Sequence, residues 1–163
     1  MPRIVEGDLL LQDVDVIVNA WNRNFIPYWL LLPQGISGAI RRRAGREPFR
    51  EVARHGLLPL GGAVLTGAGK LPFKGIIHVA GIGILWTASE QSVRLSVANA
   101  LRIAHEHGFA SVAFPLIGAG TGGLGPQKAE AIMRNEIDKA DFPGEVRIVR
   151  YRPEPKDGGK PEA

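Results

Sequence analysis

The sequence predicts a three-layer α/β/α sandwich around a mixed, mostly parallel central sheet. Three observations carry that expectation. Short β-branched runs alternate with segments of helical period along the chain. The runs up to residue 114 are near-continuously apolar, as strands buried on both faces are. One of these runs also ends in a glycine-rich turn that opens a helix, the place where parallel sheets hold ligands.

Strands are expected at residues 15–18, 63–66, 76–80, 111–114 and 146–151. Only the last alternates, with Val146, Ile148 and Arg150 on one face, which suits an edge strand with one wet side. Helices are expected at about 35–43 and 48–55. A third follows the capping-box pattern Thr87-Ala88-Ser89-Glu90. Its apolar face is Val93, Val97, Ala100, Leu101 and Ala104, and Gly108 stops it. The fourth opens at Pro126, a favoured first-turn residue, and carries the stripe Ala129, Ile132, Met133 and Ile137. No internal repeat and no linker interrupts residues 1–152, which read as one domain. Residues 153–163 hold Pro, Gly, Lys and Glu without an apolar pattern and read as a frayed tail.

At 163 residues, 45% hydrophobic and 22% charged, the chain can bury a core without covalent staples. The absence of cysteine excludes disulfides, thiolate nucleophiles and Cys-built zinc sites, and fits a cytoplasmic protein. No His/Asp/Glu cluster suggests a metal site, and no cofactor is implied. No apolar run reaches the length of a membrane span, and the first residues lack the apolar core of a secretory signal. The formal charge of +4 favours anionic partners: nucleotides, polyphosphates or nucleic acid.

Chemistry concentrates in two places. The first is Phe114-Pro115-Leu116-Ile117-Gly118-Ala119-Gly120-Thr121-Gly122-Gly123-Leu124-Gly125-Pro126. Missing side chains let backbone N–H groups approach a ligand, and the helix N-terminus behind them adds partial positive charge. That combination makes a phosphate cradle; the alternative is a flexible connection of small residues. It is not a Walker A loop, because Gln127 follows Gly125-Pro126 where that motif needs Lys and then Ser or Thr. It is not a dinucleotide fingerprint either, since the glycines follow a late strand. The second place is Gly7-Asp8-Leu9 followed by Val18-Asn19-Ala20-Trp21-Asn22. Two amides there end a buried strand at the same end of the sheet. An amide both donates to and accepts from ribose hydroxyls, or else satisfies loop backbone.

These segments, with Gly35-Ile36-Ser37-Gly38-Ala39-Ile40, resemble the macrodomain family in order and spacing, over residues 4–152. The resemblance implies a sheet sandwiched by helices with ADP-ribose across its crest. It implies that Asp8, beside Leu9, accepts a hydrogen bond from the adenine amino group. Asn22 faces the distal ribose beyond Ala20. Gly35 and Ile36 match the end of the first diphosphate loop, with Ser37 a ligand-binding residue beside them, and Gly118, Ala119, Gly120, Thr121, Gly122, Gly123 and Leu124 match the second. Tyr151 either stacks on adenine, as an aromatic does in some members, or packs at the sheet edge. Asn22 and Ser37 are the candidate catalytic pair, although hydrolytic members often carry Asp where Ser37 stands.

The activity so implied is hydrolysis of ADP-ribosyl esters, on acidic side chains of proteins or on acetate. The missing Asp keeps a non-catalytic ADP-ribose reader open. A further departure is the apolar insertion at residues 25–32, with two readings: a lid over the distal ribose, or packing against the protein or a second subunit. Trp21 is equally open. Arg41-Arg42-Arg43, continued by Arg46, Arg50 and Arg54, suggests a nucleic-acid patch. Glu47 and Glu51 interleave it, and such runs are ordinarily solvated faces. His78 reads as a core residue, and His105 and His107 as cations at a helix end.

Overall fold

The computed structural model describes residues 1–23, 35–83, 87–120 and 122–153. The insertion at 25–32, Thr121 and the tail from residue 154 lie outside the described residues. The chain runs β1 (Arg3–Gly7), a single 3-10 turn (Leu9–Leu11), β2 (Val16–Trp21), α1 (Gly35–Ala44) and α2 (Glu47–Ala53). It continues through β3 (Ala63–Thr66), β4 (Gly75–Ala80), α3 (Glu90–Glu106), β5 (Ser111–Pro115), α4 (Pro126–Lys139) and β6 (Glu145–Tyr151).

The strands form one six-stranded sheet in the order β1-β6-β5-β2-β4-β3. Every pairing is parallel except β3 with β4. The sheet is therefore mixed and mostly parallel, as its apolar strands require. Alternate residues of each central strand feed opposite faces. Ile17, Ile76, Ala113 and Val149 join Ile40, Ala44, Phe49 and Val52 of α1 and α2 in one core layer. Val16, Val18, Ile77, Val112, Phe114 and Ile148 join Val93, Val97, Leu101, Ile132 and Met133 of α3 and α4 in the other.

Three expectations change. β6 is not an edge strand: β1, which its own sequence signals poorly, covers it in parallel from Arg3↔Arg147 to Gly7↔Tyr151. The alternation of β6 has another cause. Val146 and Ile148 face α3 and α4, while its last two residues run out of the core at the crest. The run at 63–66 is buried on one face only, being an antiparallel edge. The capping box of α3 sits two residues later than expected. Ser89 is the cap, accepting from the Ser92 amide at 3.0 Å while the Ser92 hydroxyl accepts from the Ser89 amide at 2.9 Å. Glu90 instead accepts from the Arg94 guanidinium, which holds its carboxyl below the usual range. Gly108 follows α3 in the left-handed region, with φ 68°, as a helix stop should.

No helix among the described residues is long and apolar enough to cross a membrane.

Candidate functional site

The parallel strands β1, β6, β5 and β2 all end at the same crest of the sheet, and a cleft of about 2140 Å³ runs along it. The cleft brings together Asp8, Leu9, Ala20, Asn22, Gly35, Ile36 and Ser37 from the N-terminal third of the chain. It joins them to Gly118, Ala119, Gly120, Gly122 and Tyr151 from the C-terminal half. Residues more than a hundred positions apart meet because crossover helices return each strand to the same end.

Asp8 caps the 3-10 turn, with one carboxylate oxygen accepting from the Leu10 amide at 2.8 Å and the other 3.5 Å from the Arg43 guanidinium. Leu9 is at once buried in the core and part of the cleft wall. Tyr151 lies beside this corner, because its register partner Gly7 precedes Asp8. Its side chain is about three-quarters exposed, so it is not core packing.

The loop after β5 is closed by its own hydrogen bonds. The Leu124 amide donates to Gly118 O at 3.0 Å, and the Gly123 amide to Gly120 O at 3.2 Å. The Ala88 amide donates to Gly122 O at 3.0 Å and ties the loop to the start of α3. Its glycines divide by purpose. A Cβ on Gly118 or Gly122 would stand 2.8 or 2.7 Å from Ala88 Cβ, so these two are required by packing. Gly120 has nothing within 4 Å of its would-be Cβ and stands at the cleft. Gly123 and Leu124 do not face the cleft: Leu124 folds back against the α3–α4 core layer.

At the β2 end, α1 starts with Gly35 at φ 59°, and its first-turn amides lack intrahelical partners by geometry. Its Ser37 hydroxyl lies 2.8 Å from Asn19 Oδ1 and 3.1 Å from Ala20 O. The two asparagines therefore separate. Asn22 is buried and lines the cleft just past β2. Asn19 turns inward, its Nδ2 3.1 Å from His78 Nδ1. Trp21 packs edge-on against Phe49 at 5.2 Å between ring centroids, so it forms the floor of the cleft.

His78 is the core residue that its strand suggested, wholly buried and edge-on to Phe49. Its second nitrogen, Nε2, is 2.9 Å from Thr66 Oγ1. Burial lowers its pKa to about 3 from an ordinary 6.5. Between those values the unfolded chain binds a proton that the folded chain does not. This contribution to stability is complete above pH 6.5 and is lost as pH falls toward 3. Acidifying from pH ~7.5 to ~5 should remove about 2 kcal/mol and lower Tm by roughly 4–8 °C for a chain this long. Thermal unfolding of the parent and of His78→Gln checks this. An equal loss in both would clear the histidine.

Sequence reasoning missed the α4 wall of the cleft. Glu130, buried, accepts from Arg150 Nε at 2.7 Å and Nη2 at 2.8 Å, and that guanidinium holds its carboxyl below the usual range. The shared parity of Arg150 with Ile148 was the available signal, since it points Arg150 at α4. Gln127 and Arg134 line the same wall. The arginine run also takes a different place: Arg41, Arg42 and Arg43 border the cleft, and α2 is too short to present an extended basic face.

The macro domain family model matches residues 18–133. The chain is 38% identical over 161 residues to an O-acetyl-ADP-ribose deacetylase of Escherichia fergusonii, covering 91% of this chain and 86% of the relative. It is 35% identical over 144 residues to an O-acetyl-ADP-ribose deacetylase of Citrobacter rodentium, covering 83% and 77%. Among solved structures, a mutant Oceanobacillus iheyensis macrodomain with ADPR matches at a TM-score of 0.79 and 30% identity, over 93% of this chain and 84% of that one.

Proposed function

The chain belongs to the macro domain family, and from that premise we propose that its crest cleft binds ADP-ribose and that the protein hydrolyses ADP-ribosyl esters. The substrates are O-acetyl-ADP-ribose or ADP-ribose carried on acidic side chains of proteins. The observation that carries this reading is the order of chemistry along the crest. Asp8 and Tyr151 stand at β1 and β6, the glycine loop at β5, and Asn22 with Ser37 at β2. Base, diphosphate and distal ribose follow one another in the same order in the ligand. From β1 to β2 the crest crosses three strand spacings, about 14 Å, which suits an extended dinucleotide-sized molecule.

The residues divide the work accordingly. Asp8 keeps acceptor capacity for an exocyclic amine, because each carboxylate oxygen has more than one lone-pair site. Backbone amides at the α1 start and in the β5 loop face the diphosphate, within the field of Arg41, Arg42 and Arg43. Asn22 holds the distal ribose. The carboxylates of the described cleft, Asp8 and Glu130, both belong to its β1–β6 side, away from Ser37. The attacking water is therefore oriented by a diphosphate oxygen of the substrate and by the β2 corner. Positioning of this kind supplies much of the barrier reduction without a dedicated base.

The serine at this corner also favours a second reading, a reader that holds ADP-ribose without cleaving it. Titration calorimetry with ADP-ribose, beside a time course of acetate release from O-acetyl-ADP-ribose, separates the two. Binding with release supports the hydrolase, and binding without release the reader. No binding sinks both.

Tyr151→Ala should weaken ADP-ribose binding by roughly 5- to 10-fold, the worth of one aromatic stacked on a base, while leaving Tm unchanged because the ring is exposed. Equal affinity by calorimetry would take Tyr151 out of the site.

A further inference from the structure

We propose that a buried chain of hydrogen bonds from Thr66 through His78 and Asn19 fixes the Ser37 hydroxyl as an acceptor toward the cleft, making these three buried residues positioning groups for hydrolysis. The proposal deepens the functional reading above and rests on it.

The chain starts at Thr66 on the edge strand β3, outside the cleft lining. The Thr66 hydroxyl donates to Gly67 O at 2.9 Å, which leaves its lone pairs for the His78 ring. His78 Nε2 then carries the proton and donates to Thr66 Oγ1 at 2.9 Å. A neutral imidazole has one N–H, so Nδ1 is bare and accepts from Asn19 Nδ2 at 3.1 Å. With its amide nitrogen committed there, Asn19 presents Oδ1 to Ser37, 2.8 Å away. Among the described residues, the other group within reach of Ser37 Oγ is Ala20 O at 3.1 Å, a carbonyl that also only accepts. The single Ser37 proton is thus held inward, whichever of the two oxygens it approaches. Its lone pairs are left for a donor in the cleft, the attacking water.

Reversal of the chain would undo this. If His78 carried its proton on Nδ1, Asn19 would turn its amide nitrogen toward Ser37 and occupy one of those lone pairs. Burial matters here because Asn19, Thr66 and His78 are all at most 5% exposed, so no solvent competes for their hydrogen bonds. The direction is set at Thr66, well away from any ligand contact.

The test is Thr66→Val in the full chain, with Thr66→Ser as the conservative variant. Nitrogen NMR of the His78 ring should show an Nε2–H tautomer in the parent. It should show Nδ1–H in the valine variant, whose side chain cannot accept from Nε2. The kcat for acetate release should fall about tenfold, the effect of one misdirected hydrogen bond, with the calorimetric Kd for ADP-ribose unchanged. Thr66→Ser should recover both the tautomer and kcat. An Nδ1–H tautomer in the parent, or an unaltered tautomer in Thr66→Val, overturns the relay. So does a lowered Tm with kcat unchanged, which would make Thr66 merely structural. Failure of the parent to bind ADP-ribose would sink the functional reading instead, and the tautomer would still decide whether the relay exists.

Discussion

Replacing Asn22 with Ala is expected to lower ester hydrolysis by about 100-fold or more while leaving the melting temperature within a few degrees of the parent. The large effect follows from where the side chain stands. Asn22 is buried at the cleft just past the end of β2, a central strand whose first four residues are wholly inaccessible. On the proposed reading, a group on so rigid a base holds the distal ribose in one place. Misplacement of a reacting group by about 1 Å costs on the order of 100-fold in rate. The small effect on stability has a separate cause: Asn22 is one residue beyond the strand, and its truncation removes a polar group rather than apolar core volume. The informative measurement is kcat against KM for acetate release. Loss confined to KM would make Asn22 a binding residue only, and an unchanged rate would remove it from the mechanism. Asn22→Asp keeps the shape but loses the donor, so it should fail nearly as badly if donation to the ribose is what matters.

Most of the fold was legible because apolar patterning is a direct imprint of burial. The strands at 76–80 and 111–114 are apolar on both faces, and the sheet buries them on both faces. What was not legible is the work of partners. β1 reads Arg3-Ile4-Val5-Glu6-Gly7, too polar to announce a strand, and it exists because β6 offers it a parallel ladder. Its presence turns β6 from an edge into an interior strand, which no property of β6 itself signals. The cap of α3 shows the same limit on a smaller scale. Two patterns overlap there, and the backbone chose Ser89–Ser92 because the Ser92 hydroxyl also donates to Gly81 O at 2.9 Å, a contact supplied by another segment.

The site was legible at its glycines and asparagines and illegible in its connections. Chain order sufficed to place Asp8, Asn22, Ser37 and the β5 loop at one crest, since parallel strands all end on the same side. The different fates of Asn19 and Asn22 were hidden. Both are amides flanking the same strand end, and only the neighbour in β4, His78 opposite Asn19, decides which turns inward. The Glu130–Arg150 pair was hidden for a similar reason, because α4 and β6 meet only in three dimensions. The glycine loop carried its own ambiguity. Small residues can mean a ligand above or a neighbour below; here Gly118 and Gly122 meet a neighbour, and Gly120 stands open at the cleft.

At Gly118 a steric and a conformational cost fall on one substitution. Gly118→Ala is expected to cost stability and ligand affinity together. One part of the cost is conformational: Gly118 sits at φ 83°, where an L side chain is strained by about 1–2 kcal/mol. The other is steric: the new Cβ would stand 2.8 Å from Ala88 Cβ, on a segment tied to the loop by the Ala88 amide. Overpacking of this kind costs about 1–3 kcal/mol. Leu124 Cδ1, 3.1 Å away, can rotate aside, but Ala88 has no rotamer with which to retreat. The sum, about 2–5 kcal/mol, should lower Tm by roughly 5–15 °C in a chain this long. The loop relieves the clash by lifting off α3; on the proposed reading its amides then leave the diphosphate, and affinity for ADP-ribose should fall at least about tenfold. Ala88→Gly in the same chain removes the steric part and keeps the conformational part, so the double variant should recover about half of the lost Tm. Full recovery would mean that φ at Gly118 carries no strain, and no recovery that Ala88 does not set the height of the loop. A lowered Tm with undiminished ADP-ribose affinity would be the most damaging result. It would show that the loop can move without the ligand noticing, and the diphosphate would have to be held elsewhere along the crest.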